Sequence, residues 1–483
     1  MNPVARALPL MAALLGACES SPSASAPAEV QASKLSREEL LDPEQCKACH
    51  PQHYREWASS MHAYAADDPV FAAMNQRGQR ETNGALGAFC VKCHAPMAVS
   101  EQATHDGLDL VDVPRKLKGV TCYACHNAIS VGDHFNNSLQ LADDNSMRAA
   151  IDKPIKSPAH AIAYNRLQDS NRRESSELCG SCHDVVVPSG VHLERTFEEY
   201  KSSLFGKLAQ GFETCAGCHM PGRIGPAAVL AGAPQRTLHE HLWPAVDVAL
   251  TPFPDTELQR QAVDCELALG TRIRSLDHDG LGTFTVQTET SAGHKQPSGA
   301  AQDRRMWLEV IAYDSRENVV FESGHIADGE VVERMPEDPG FDPQLALYRD
   351  WIYDDKGSLT HDFWKAAPSS EHPDGYESVT LPVTIDPGLP HVLTARFVIA
   401  RYREIARMTV RMRLQPIGVD VLQDLVKSGD LDAALLKEVP TFTFAAQLEW
   451  TQADGFMKTI TAQPKSDCSR YRCLIDPSES RCL

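Results

Sequence analysis

Two textures divide the chain. From about residue 245 the hydrophobic positions alternate with polar ones at the two-residue period of a half-buried strand, over 284–288, 306–313, 319–321, 379–385, 393–398, 408–414 and 442–450. These runs are rich in Val, Thr, Phe and Trp, and the residues between them are the Gly, Pro, Asp and Asn of tight turns. Seven short strands over roughly 220 residues predict an antiparallel, sandwich-like β-domain, placed at 245–465. Within it the Leu and Val spacing of 419–437 predicts a small helical insertion. Pro, Ser, His, Asp and Gly at 368–375 predict an exposed loop. Between 40 and 244 no long period is sustained, so short helices joined by irregular connections are expected. The predicted fold class is two-part: a mainly α and irregular N-terminal domain followed by an all-β antiparallel sandwich-like domain.

The first residues read as a targeting segment. Arg6 precedes a short apolar core at 7–15, and Leu15-Gly16-Ala17-Cys18 resembles a bacterial lipobox. That resemblance implies a lipoprotein signal peptide over 1–17, cleavage before Cys18 and lipidation of Cys18. Residues 18–39 are rich in Ser, Ala and Pro and read as a flexible tether. No later stretch has about 18 apolar residues free of charge. The expected location is therefore the bacterial cell envelope, on the periplasmic side or cell surface, with a lipid anchor holding the chain to a membrane.

What fills the irregular half is visible in its cysteines. Cys-x-x-Cys-His occurs five times: Cys46/Cys49/His50, Cys90/Cys93/His94, Cys122/Cys125/His126, Cys179/Cys182/His183 and Cys215/Cys218/His219. At this Cys and His content, chance placement gives on the order of 0.02 copies. The spacing is the attachment signature of haem c (heme c): two thiols take up the vinyl groups and the next residue, His, ligates iron from the proximal side. A zinc site or a dithiol redox pair uses similar residues, but neither calls for five copies. Five covalent haems are thus expected within 40–244, at so few residues per haem that the porphyrins themselves form much of the core.

Charge and the remaining cysteines narrow the picture. A formal net charge of −19 argues against nucleic acid, which demands a basic face, and is compatible with basic redox partner proteins. After haem and lipid, Cys265, Cys468, Cys473 and Cys482 remain. In an oxidising compartment they allow up to two disulfides in three pairings, one of which staples the Cys-containing tail at 466–483 to Cys265.

The first half resembles a family, the multihaem c-type cytochromes like the tetrahaem partner of hydroxylamine oxidoreductase. The matching text starts at His50-Pro51, Tyr54, Trp57, Ser60 and His62-Ala63. It continues through Asp68-Pro69-Val70-Phe71, Phe89-Cys90, His94-Ala95-Pro96 and Gly119-Val120. Ser157-Pro158-x-His160, Leu178-Cys179-Gly180, His183-Asp184 and His219-Met220-Pro221 complete it. The resemblance implies that His62 and His160 are distal haem ligands. The His-x-His pair His239/His241 offers another, His241 by preference, with the other ring free to hydrogen-bond nearby. His294, in Gly293-His294-Lys295-Gln296-Pro297-Ser298-Gly299, resembles a loop that accompanies this type of haem region. It reads either as a ligand lent by the β-domain or as a structural turn. His105 is a further candidate, weighed against an exposed loop position.

No catalytic residue stands out. The leading reading is an exported, lipid-anchored pentahaem cytochrome that passes single electrons along closely packed haems in a respiratory or extracellular chain. The alternative is a multihaem oxidoreductase acting on a small nitrogen or sulfur compound at an open haem face. Pentahaem nitrite reductase shares the haem count and the Cys-His-Met-Pro element, but its Cys-x-x-Cys-Lys motif does not occur here. A third reading gives the function to the β-domain, with the haems as wiring.

Overall fold

The computed structural model describes residues 34–208, 214–385, 391–459 and Cys468. Its N-terminal part consists of short helices and irregular chain, as expected, but also of four two-stranded sheets that the sequence pattern does not predict. These pair Ala128–Val131 with Leu139–Leu141, Ser146–Ala149 with Ala161–Tyr164, Asp184–Val186 with His192–Arg195, and Gly222–Pro226 with Gln235–His239. Ser36 opens the first helix, Arg37–Leu40, with a reciprocal capping box to Glu39. Proline sits in the first turn of Pro51–Ala58 and of Pro69–Glu81, where its missing N–H is not needed. Asp68 caps the latter, accepting from the Val70 N–H at 2.9 Å.

Four of the Cys-x-x-Cys-His segments lie on helical turns: on Val91–His94 with Cys90 as its N-cap, and within Cys122–His126, Glu174–His183 and Cys215–His219. The first follows the 3-10 turn Pro43–Cys46. A helical turn is what the motif needs, because positions i, i+3 and i+4 share one face.

The C-terminal part begins with the helix Thr256–Gly270 and is mostly antiparallel sheet. One seven-stranded sheet runs in the order Leu359–Thr360, Leu347–Tyr353, Arg305–Tyr313, Arg407–Gln415, Phe442–Thr451, with Val319–Ser323 and Tyr376–Val379 paired beside this path. A four-stranded sheet runs Val392–Val398, Thr283–Thr290, Thr271–His278, Met457–Thr459. Register is fixed by burial. Along Thr283–Thr290 every second residue is buried, so a one-residue slip would turn Phe284 and Val286 to solvent. A single apolar core takes Ile273, Phe284, Val286 and Phe397 from the smaller sheet and Leu308, Val310, Met408 and Phe444 from the larger one.

The predicted strand at 379–385 does not form. Pro382 lacks a ladder donor, and Leu381 instead makes an isolated bridge to Gln296. Unpredicted strands appear in this part, the longest being Thr271–His278 and Leu347–Tyr353, beside the shorter Leu359–Thr360, Tyr376–Val379 and Met457–Thr459. The expected helical insertion is realised as the helix Val419–Lys427 and a separate 3-10 turn, Ala433–Lys437, broken between by Gly429 at φ +81°. Residues 368–375 form no regular element, as expected.

The two parts are not joined by an exposed linker alone. Ala73 and Met74 pack with Val421, Leu422 and Leu425 in one core cluster. Val187, Val191 and Leu193 pack with Ile352 and Ala366 in another. Arg195 meets the fully buried Asp350 at 2.5 Å. Cys265, on the helix Thr256–Gly270, is disulfide-bonded to Cys468. Cys18, Cys473 and Cys482 lie outside the described residues.

Candidate haem-binding centres

Four of the five attachment motifs deliver a histidine whose Nδ1 is already engaged. His50 donates to the Ala227 carbonyl at 2.7 Å, His94 to Ala65 at 3.1 Å, His126 to Arg148 at 2.6 Å and His219 to Pro244 at 2.8 Å. A carbonyl can only accept, so Nδ1 carries the proton and Nε2 keeps its lone pair for a metal. Burial reinforces this: it pushes His94 and His219 down to about 4, so both rings are neutral at pH 7.

Four motif histidines face a second imidazole. The ring centres of His50 and His160 are 6.4 Å apart, those of His62 and His183 6.1 Å, those of His126 and His241 6.1 Å, and those of His219 and His294 6.2 Å. Two metal–nitrogen bonds of about 2 Å, with roughly 1 Å from nitrogen to ring centre on each side, require about 6 Å. The residues present therefore fit a six-coordinate haem iron at all four places. Three of the facing rings also have Nδ1 on a carbonyl: His160 on Ala161 at 3.0 Å, His241 on His239 at 2.9 Å and His294 on Lys295 at 2.8 Å.

The elements that hold these rings come from far apart. His62 lies on Met61–Tyr64, a turn capped by the Ser60 hydroxyl. Its carbonyl accepts from the Val120 N–H at 2.8 Å, and the Trp57 indole N–H donates to the Val120 carbonyl at 2.8 Å. The conformation that permits this is Gly119 at φ +71°, where a Cβ would stand 2.6 Å from the His62 carbonyl oxygen. Burial lowers His62 to about 3, with His183 and His94 adding to the effect. Ser157 orders the turn before His160, its hydroxyl accepting from the Ala159 and His160 N–H groups.

His294 sits on the loop from the sheet part, and that loop is held by the haem part. Glu199 accepts from the Lys295 N–H at 3.2 Å and from the Ser298 hydroxyl at 2.7 Å. Tyr200 and Phe205 line Gly293. His239, the other member of the His-x-His pair, instead bonds Ser170 Oγ through Nε2 at 2.8 Å and the Met220 carbonyl through Nδ1 at 2.8 Å.

His94 differs from the other four. Among the described residues no second imidazole stands opposite it at such a spacing; Phe71 lies parallel to its ring at 3.9 Å and 7°. His105 is exposed and makes no ring contact among the described residues.

The motif sulfurs approach one another between motifs. The thiols of Cys46 and Cys122 lie close enough to perturb one another, as do those of Cys93 with Cys182 and Cys179 with Cys215. With haem attached these atoms would be thioether sulfurs. Motif 1 therefore abuts motif 3, while motif 4 abuts both motif 2 and motif 5. The Cys182 thiol is also felt electrostatically at Cys125, which brings motif 3 beside motif 4.

Sequence reasoning passed over Glu199 and Trp243. Glu199 stands in an ordinary helical run, Thr196–Ser202, and nothing local marks its contact with a loop 96 residues away.

Comparison with known proteins agrees with this geometry. The family described as cytochrome c554 and c-prime matches residues 45–127. A protein of Allochromatium vinosum described as a tetraheme cytochrome-c type is 33% identical over 72 residues, 15% of this chain and 35% of that protein. The chain thus spans about a third of that relative's length. The penta-heme cytochrome c552 from Thermochromatium tepidum has a similar fold, with a TM-score of 0.56 at 19% identity over 85% of this chain and 98% of that one. Five attachment motifs, four of them on helical turns, and these likenesses support a multihaem c-type cytochrome, with its first motifs, in residues 45–127, inside the matched family segment.

Proposed function

We propose that this protein is an exported, lipid-anchored electron carrier with five haems c, one on each Cys-x-x-Cys-His motif. The observation that carries this is the set of four imidazole pairs at 6.1–6.4 Å, each containing one motif histidine. On this reading His160 completes the first site, His241 the third, His62 the fourth and His294 the fifth. Haem c supplies a one-electron iron couple. Two neutral imidazoles per iron suit both oxidation states and leave no position for a substrate. The closeness of the motif sulfurs supports a path from the first site through the third to the fourth, with the second and fifth each beside the fourth. Donor and acceptor would be redox partner proteins. Among the described residues no helix is long and apolar enough to cross a membrane, and the anchor in this reading is lipid on Cys18.

One observation favours a second reading. The second site has no facing imidazole among the described residues, and an open iron face admits a small ligand. A multihaem oxidoreductase acting on a small nitrogen or sulfur compound would use that site. Electron paramagnetic resonance of the oxidised holoprotein tests both. Four low-spin signals and one high-spin signal are expected, with carbon monoxide binding to one ferrous haem in five. Five low-spin signals would contradict the assignment at His94. Steady turnover of hydroxylamine or nitrite, lost when the high-spin site is blocked, would move the balance to the enzyme.

A further inference from the structure

Residues 239–244 reach three of the centres at once. His241 faces His126, and the Pro244 carbonyl accepts from His219 Nδ1. Between these two contacts stands Trp243. Its ring centre is 4.6 Å from that of His62 and 5.2 Å from that of His241, with interplanar angles of 69° and 74°. One indole is thus set edgewise against two imidazoles that serve different sites.

It stands there against a backbone preference. Trp243 has φ +46°, in the left-handed region that a bulky side chain rarely adopts. Such a conformation persists only where its surroundings fix it. Here the Glu240 N–H donates to the Pro221 carbonyl at 3.2 Å, the His241 N–H donates to the Glu56 carboxylate at 3.0 Å, and Leu242 is buried. The two imidazole pairs that the indole touches are oriented differently. The planes of His62 and His183 cross at 63°, whereas those of His126 and His241 meet at 16°.

We propose that Trp243 is a positioning residue shared by two electron-transfer centres, holding the His62 ring across that of His183 and the His241 ring along that of His126. This rests on the reading of those imidazoles as axial ligands. Ring orientation matters because crossed axial planes leave two iron d-orbitals nearly degenerate, and parallel planes split them. The plane angle therefore sets the anisotropy of the low-spin signal and contributes to the potential, as does every constraint on an axial ligand. Trp243 would tune a neighbouring pair of sites, the third and fourth, with one side chain.

The test uses the loaded protein and three readouts: haem content, resonance signals and potentiometric titration. The His62 and His241 signals are first assigned by their loss in His62→Ala and His241→Ala. Trp243→Leu should keep all haems attached and all four low-spin signals present, while shifting those two signals and their potentials together and leaving the other two fixed. Trp243→Phe, which keeps an aromatic edge, should shift the same two by less. If Trp243→Leu does not accumulate, Trp243→Phe decides. Unmoved signals, movement of only one, or an equal shift of all four would overturn the proposal. If His62→Ala and His241→Ala remove no low-spin signal, the ligand reading itself fails, and that outcome is distinct from any failure of Trp243.

Discussion

Replacing His294 with alanine should convert one low-spin haem to high spin without releasing it. In the proposed reading Cys215 and Cys218, on the helical turn Cys215–His219, hold the fifth haem covalently, whereas His294 comes from a loop of the sheet part. The two contributions are therefore separable. The loop itself should survive, because Glu199 still takes the Lys295 N–H and the Ser298 hydroxyl, and Arg304 still donates to the Ser298 carbonyl at 3.0 Å. The resonance spectrum should lose one low-spin signal and gain a high-spin one, and carbon monoxide should bind two haems per chain instead of one. The thermal midpoint should also fall, because a metal bond between the two parts has gone and ligand-linked stability goes with it. A spectrum identical to the parent would return His294 to the structural-turn reading that the sequence left open.

Substituting Gly119 by alanine should damage the fourth site from a distance of one backbone contact. At φ +71° any side chain is strained by about 1–2 kcal/mol. Its Cβ would also sit 2.6 Å from the His62 carbonyl oxygen and 2.8 Å from that of Ala63. Both neighbours are backbone, which cannot swing aside as a side chain can. The total loss should be about 2–4 kcal/mol, read by thermal or denaturant unfolding, and the His62 signal should broaden or vanish. Gly84 is the control. It has φ +80° with nothing within 4 Å of an added Cβ, so Gly84→Ala should cost only the conformational part and leave every haem signal unchanged.

How much of this was legible beforehand varies with range. The attachment motifs are local, so spacing alone placed them, and each proximal histidine follows from its own pentad. The facing of imidazoles is a long-range matter. His62 lies 12 residues beyond the first motif histidine yet stands opposite His183 of the fourth motif, and His160 stands opposite His50. Composition and period carry no record of such pairings. Among the strands, those with clean alternation were readable, such as Thr283–Thr290. Leu347–Tyr353 was not, because it buries Arg349 and Asp350. Charges mid-strand read as loop when their partners, Glu333 at 2.5 Å and Arg195 at 2.5 Å, are unknown. Thr271–His278 was missed for a related reason: Arg272 and Arg274 face Glu289 across the sheet, and the polar surface they make hides the apolar side. The break at Pro382 was visible in the sequence, but the apolar residues on either side of it outweighed the missing donor.

The cofactor load itself is settled by weighing the molecule. Protein made in cells competent for cytochrome maturation, denatured and examined by intact-mass spectrometry, should exceed its polypeptide by five haem groups that acid and organic solvent do not extract. A mass at four haems or fewer in fully matured material, or colour that washes away with solvent, would contradict the account at its base.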